Sequence, residues 1–257
     1  MVFELLAAAA KAAPQTKFGF NEMMFPDGKP NYIALSTAVI LAIMSFGSFF
    51  ILITKWIDQK KIMKQKEVLG NFWRAPTLRE GAAKLEKNTA YRQIADDGLA
   101  AEEQHTKMGD SLDAHDWLHG SLARSEAAIN SFLNKGLAFL ATVGSTAPFV
   151  GLFGTVVGIY RALIAIGISG SASIDKVAGP VGESLIMTAL GLIVAVPAVL
   201  GYNYLQARNK KVSEDLASFS TDVLAYINSK GQVRPAVAAA KPAAAAAKPA
   251  PAAPAKS

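Results

Sequence analysis

Residues 136–160 read GLAFLATVGSTAPFVGLFGTVVGIY, 25 residues with no charge. A bilayer's hydrocarbon core takes about 20 apolar residues as a helix, because no water is there to satisfy an open backbone. Two further stretches meet the same condition. Ile33–Thr54 has 22 uncharged residues and Ser184–Ala207 has 24. Soluble proteins rarely carry three such runs. Composition agrees: 51% of the 257 residues are hydrophobic and 18% are charged, against about 25% charged in an ordinary soluble domain. The expected fold class is an all-α membrane protein with three transmembrane helices and long cytoplasmic helical extensions.

Charge placement sets the expected orientation. Lys55, Lys60, Lys61, Lys64 and Lys66 follow the first span, and Arg208, Lys210 and Lys211 follow the third. The loop between spans two and three carries only Asp175 and Lys176 beyond Arg161. Positive residues stay on the cytoplasmic side, so the N-terminus is expected outside and the C-terminus inside. Trp56 lies where an aromatic interface anchor belongs.

The expected organisation follows. Residues 1–32 form a periplasmic segment, 33–54 the first span, 55–135 a cytoplasmic helical domain and 136–166 the second span. Residues 167–177 form a periplasmic loop, 178–207 the third span and 208–230 a cytoplasmic helix. Residues 231–257 form a disordered tail. The opening stretch Met1–Pro14 reads as a short amphipathic helix on the membrane surface rather than a cleavable signal.

Between residues 55 and 135 the apolar residues Leu112, Trp117, Leu118, Leu122, Ile129, Phe132 and Leu133 recur at helical spacing. Gly98, Gly109 and Gly120 are candidate breaks. No strong breaker separates Ser121 from the second span, so one long helix is expected to run out of the membrane there.

The tail from Gly231 holds Arg234, Lys241, Lys248 and Lys256 and no acid, which is +4 of the formal +6. Its Ala and Pro composition supplies no core. The remainder is nearly balanced, so the basic balance does not indicate nucleic-acid binding. No Cys is present, which excludes disulfides, zinc-thiolate and iron–sulfur sites and a cysteine nucleophile. No Walker loop, GxSxG elbow or HExxH motif occurs, so no enzyme activity and no cofactor are expected. His115 and His119 are four apart beside Asp116. Solvated surface histidines are the commoner case, and no metal is assigned to them.

Polar groups inside the spans are few. Glu183 opens the third span, and a carboxylate near hydrocarbon is a functional candidate by default. It can also serve as a helix-start acid. Ser184, Thr188, Gly191 and Ala195 fall on one face of the third span. Gly151, Thr155 and Gly158 recur along the second, where Gly154 and Gly158 form a small-xxx-small pair. Such faces let helices pack closely, and they can equally line a narrow pore. Pro148 and Pro197 sit inside spans and are expected to kink them.

The stretches Thr146–Tyr160 (TAPFVGLFGTVVGIY), Gly182–Leu192 (GESLIMTALGL) and Val194–Asn203 (VAVPAVLGYN) resemble the MotA/TolQ/ExbB proton-channel family. Phe18-Gly-Phe and Met44-Ser45 ahead of Trp56 resemble the first span of its ExbB-like members. The likeness runs from about Lys17 to Lys211. Three spans fit the ExbB and TolQ branches rather than the four-span MotA branch.

The resemblance implies a homo-oligomeric, pentameric ring in the bacterial inner membrane around an ExbD-like single-span partner. Proton flow through such an assembly drives a TonB-like energy transducer for uptake across the outer membrane. By motif, Thr155, Glu183 and Thr188 correspond to the family's pore positions. Gly151, Gly154, Gly158, Ser184, Gly191 and Ala195 form the small packing face. A TolQ-like role in outer-membrane integrity, a passive membrane scaffold and an independent ion channel are the competing readings.

Overall fold

The computed structural model describes residues 24–25, 30–108, 113–169 and 174–235. Met1–Pro14, Gly109, Leu112 and the tail beyond Pro235 lie outside the described residues. Among the described residues the regular elements are helices: α1 (Tyr32–Lys66), α2 (Leu69–Trp73), α3 (Leu78–Lys84), α4 (Ala90–Met108), α5 (Ala114–Asn134), α6 (Leu137–Ser169) and α7 (Ile174–Asn228). By length and composition, three stretches can cross a membrane: Tyr32–Lys66, Ala114–Ile168 and Ser184–Asn228. Among the described residues the chain is all-helical, with three helices that suit a multi-pass membrane protein.

The helix ends have local causes. The Asn31 side chain accepts from the Ala34 amide at 3.4 Å at the start of α1. Thr77 caps α3 by accepting from the Glu80 amide at 3.2 Å, with Thr and Glu at the spacing of a capping box. Pro148 and Pro197 stay within α6 and α7 without ending them. Gly98 and Gly120 are likewise inside helices, α4 and α5.

One expectation is corrected. No single helix runs from Ser121 into the second span. It is interrupted between Asn134 and Leu137, where Gly136 has φ +90°. That is the left-handed conformation in which a glycine ends a helix most cheaply. The unbroken helix is the third one. α7 continues for 55 residues, and from Tyr202 to Asn228 no Gly or Pro interrupts its Leu, Ala, Lys, Arg and Glu.

The chain divides into two compact units, Met1–Lys60 with Asn130–Val212 and Lys61–Ile129 with Ser213–Ser257. In the first, the spans share buried clusters. Leu41, Val143, Ala147, Ala195 and Ala198 form one, and Leu137, Leu140 and Leu205 another. Met24, Ala34 and Met187 form a third.

In the second unit, α4 lies so close to α7 that a Cβ at Gly98 would come within 3.0 Å of Val223. Ile94, Ala95 and Val223 are fully buried there. An aromatic cluster joins distant segments: Phe72 stacks edge-on against Trp73 (4.7 Å) and Phe219 (5.2 Å), and Tyr91 meets Phe219 at 5.2 Å. Arg234 forks into the carbonyls of Trp73 (3.2 Å), Ala75 (3.0 Å) and Pro76 (3.0 Å) and lies over the Tyr226 ring. The Lys66 ammonium pairs with Asp215 at 2.6 Å.

Tyr91 is 1% exposed, and its burial, reinforced by the Asp215 charge, pushes the phenol up to about 12. An unfolded chain releases this proton near pH 10, and the folded one holds it. Tyr91 therefore leaves stability intact below about pH 10 and lowers it progressively between 10 and 12, where the unfolded state binds fewer protons. Alkaline titration of the solubilised protein, followed by helical circular dichroism, is expected to show unfolding that begins at higher pH in Tyr91→Phe. Identical onsets would refute this.

A candidate proton-pathway seam between two spans

The sequence places a GLFGT motif on α6 and an MTALG motif on α7. The two helices run antiparallel, and the small residues of each let the other approach closely. A Cβ at Gly151 would fall 2.5 Å from the Met187 carbonyl oxygen and 3.2 Å from the Cα atoms of Gly191 and Thr188. One at Gly191 would fall 2.7 Å from the Ala147 carbonyl oxygen. Gly154 faces the Met187 side chain, and Gly158 abuts Ser184. Ala195 is buried with Ala147 and Val143. Gly151, Gly154, Gly158, Ser184, Gly191 and Ala195 thus mesh within one chain.

Thr155 and Thr188 sit in this seam. The Thr155 hydroxyl is 2.5 Å from the Thr188 hydroxyl, and 3.1 Å from each of the Gly151 and Ser184 carbonyl oxygens. A hydroxyl has one proton, so Thr155 donates to one of these three oxygens at a time, and either threonine can be the donor between the two hydroxyls. Thr155 is buried and Thr188 half-buried, so the pair reaches from the packed interior to the edge of the seam. Ser184 is also buried. Glu183 is in α7, immediately before Ser184, and its side chain lies outside the described residues.

The model of the MotA/TolQ/ExbB proton channel family matches residues 86–218, which include α6 and the seam half of α7. The chain belongs to the MotA/TolQ/ExbB family. It is similar to the Biopolymer transport protein ExbB of Xanthomonas campestris pv. campestris (strain B100), 35% identical over 90% of this chain and 98% of that protein. The ExbB protein of Neisseria meningitidis serogroup A is 33% identical over 79% of this chain and 94% of its own. The Tol-Pal system protein TolQ of Haemophilus influenzae is 39% identical, over 40% of this chain and 46% of its own. MotA/TolQ/ExbB is a proton-channel family and not an enzyme family.

Other residues singled out by sequence do not join the seam. His115 and His119 stack with ring centroids 6.3 Å apart, and His115 Nδ1 lies 2.8 Å from the Asn228 amide nitrogen. No group of three or more His, Cys, Asp or Glu that could hold a metal occurs among the described residues. The sequence reading missed a set of buried polar side chains in the first unit, which also holds the seam: Lys55, Gln59 and Asn209. The signal was available, since Lys55 and Gln59 are four apart and so share a face of α1.

Proposed function

We propose that this chain is the ExbB-type motor subunit of a TonB-like system in the bacterial inner membrane. It forms a homo-oligomeric, pentameric ring around an ExbD-like single-span partner, and proton flow through that assembly energises a TonB-like transducer. The reading rests above all on the hydroxyl seam. Thr155, Thr188 and Ser184 can relay or orient a proton, and none of them titrates near neutral pH. A carboxylate supplied by the partner span is therefore the group that takes up and releases the proton. Glu183, at the seam's Ser184 end, polarises the chamber around it. Similarity to ExbB relatives along nearly the whole chain supports this branch.

The expected topology has the N-terminus in the periplasm and the C-terminus in the cytoplasm. Besides the lysines after α1, two aromatic–basic pairs support it. Lys60 lies 5.3 Å from the Trp56 ring on α1, and Arg208 lies 5.3 Å from the Tyr204 ring on α7. An interfacial aromatic followed one turn later by a cation suits a cytoplasmic headgroup layer. The partial likeness to TolQ favours one second reading, a motor for outer-membrane integrity.

Complementation separates the two. The gene and its natural small partner enter one strain without its TonB motor and another without its Tol motor. Rescue of siderophore-dependent growth alone is the expected result, with Glu183→Gln present at normal levels and losing most of it. Rescue of detergent resistance alone would move the chain to the TolQ branch. Rescue of neither, with normal insertion, would leave a passive scaffold. Full rescue by Glu183→Gln would remove that residue from the pathway.

A further inference from the structure

A helix end leaves its last carbonyls without intrahelical donors. At the end of α5 this happens next to the membrane-spanning bundle, and both other spans reach in to satisfy it. Lys55 Nζ of α1 donates to the Phe132 carbonyl at 2.7 Å and lies 4.2 Å from the Phe132 ring centroid. Asn209 Nδ2 of α7 donates to the Leu133 carbonyl at 3.0 Å and to Asn134 Oδ1 at 3.1 Å. Gln59 Nε2 of α1 ties the two together, donating to Asn209 Oδ1 at 2.6 Å and to the Leu205 carbonyl at 2.9 Å. Lys55, Gln59 and Asn209 are 7%, 0% and 5% exposed.

The arrangement is specific in sign and in space. A cation belongs at the negative end of a helix dipole, and Lys55 supplies one there. Gly136 is held tightly: its φ of +90° strains any larger residue, and a Cβ would come to 3.0 Å from Ile51 Cγ2, again on α1. Beyond it, α6 starts at Leu137 and reaches Thr155 eighteen residues later, about 27 Å along one continuous helix. Pro148 removes one backbone hydrogen bond on the way, but the helix continues through it, so a turn of α6 at the clamp still reaches Thr155.

We propose that Lys55 and Asn209 are positioning residues for the proton motor: by capping the end of α5 from two sides they set the rotation of α6 and hence where Thr155 faces. This rests on the motor reading of the Thr155 seam. It assigns to α1, which contributes no side chain to the Thr155–Thr188 pair, the task of holding the helix that does.

The natural chain has no Cys, so nitroxides can be attached at will. The exposed residues Ile53 on α1 and Tyr160, beyond Thr155 on α6, are replaced by Cys and labelled, in assemblies diluted with unlabelled chain. Distance distributions and energised transport are then measured for Lys55→Met, Lys55→Arg and Asn209→Leu, with partner present. Lys55→Met is expected to shift the distance and lower transport about tenfold at unchanged membrane levels. Lys55→Arg, which keeps the charge and donors, restores both.

Asn209→Leu repeats the Lys55→Met result and carries the test should Lys55→Met fail to accumulate. Wild-type distance and transport in both variants would overturn the proposal, as would lost transport at an unchanged distance. A wild-type chain that energises nothing, with the distance still sensitive to Lys55→Met, would remove the motor reading and leave the clamp standing.

Discussion

A Thr155→Val protein will insert and assemble at normal levels and transport about a hundredfold less than wild type, the scale on which loss of one positioned hydrogen-bonding group acts. Valine keeps the branched shape of threonine, so the helix seam stays filled. What is lost is the atom that touches three others: the Thr188 hydroxyl and the Gly151 and Ser184 carbonyls. Stability falls only by about 1 kcal/mol, the net worth of an ordinary hydrogen bond. Transport falls further because a proton moves along contiguous donors and acceptors, and a methyl group is neither. Thr155→Ser keeps the hydroxyl and is expected to restore most of the activity. Siderophore-dependent growth and proton uptake into vesicles read both variants. Normal transport by Thr155→Val at normal membrane levels would mean that the seam only packs.

The three spans and the two small faces, Gly151, Thr155 and Gly158 on one and Ser184, Thr188 and Gly191 on the other, were legible in the sequence because both patterns are local; that the two faces meet was not. An uncharged run and a helical period need nothing from the rest of the chain. The break at Gly136 was not legible. A glycine among apolar residues reads as the first residue of a span. It becomes a helix end only when Lys55 and Asn209, 77 and 76 residues away from the carbonyls they cap, arrive to satisfy them. The same holds for the aromatic cluster. Phe72 and Trp73 look like surface residues in a charged segment until Phe219 and Tyr226 pack on them. Gly98 read as a break for the converse reason: its use is the close approach of Val223, and no local pattern signals an approach.

Two glycines of the same helix should respond oppositely to one added methyl. Gly167→Ala puts its Cβ into open space, with nothing within 4 Å. Alanine also has the higher helix propensity, by about 1 kcal/mol, so this variant should be neutral or slightly stabilised. Gly151→Ala puts its Cβ 2.5 Å from the Met187 carbonyl oxygen and 3.2 Å from the Gly191 and Thr188 Cα atoms. All three neighbours are backbone, so no side-chain rotation relieves the clash. α6 and α7 must part along the seam, and the propensity gain is outweighed by overpacking of about 3 kcal/mol. Parting the helices also stretches the Thr155–Thr188 contact, so transport should fall with stability. Thermal unfolding in detergent and membrane levels distinguish the variants: Gly151→Ala lowers both and Gly167→Ala neither. Equal midpoints would mean that the seam yields to a methyl group, and that small residues there serve something other than close packing.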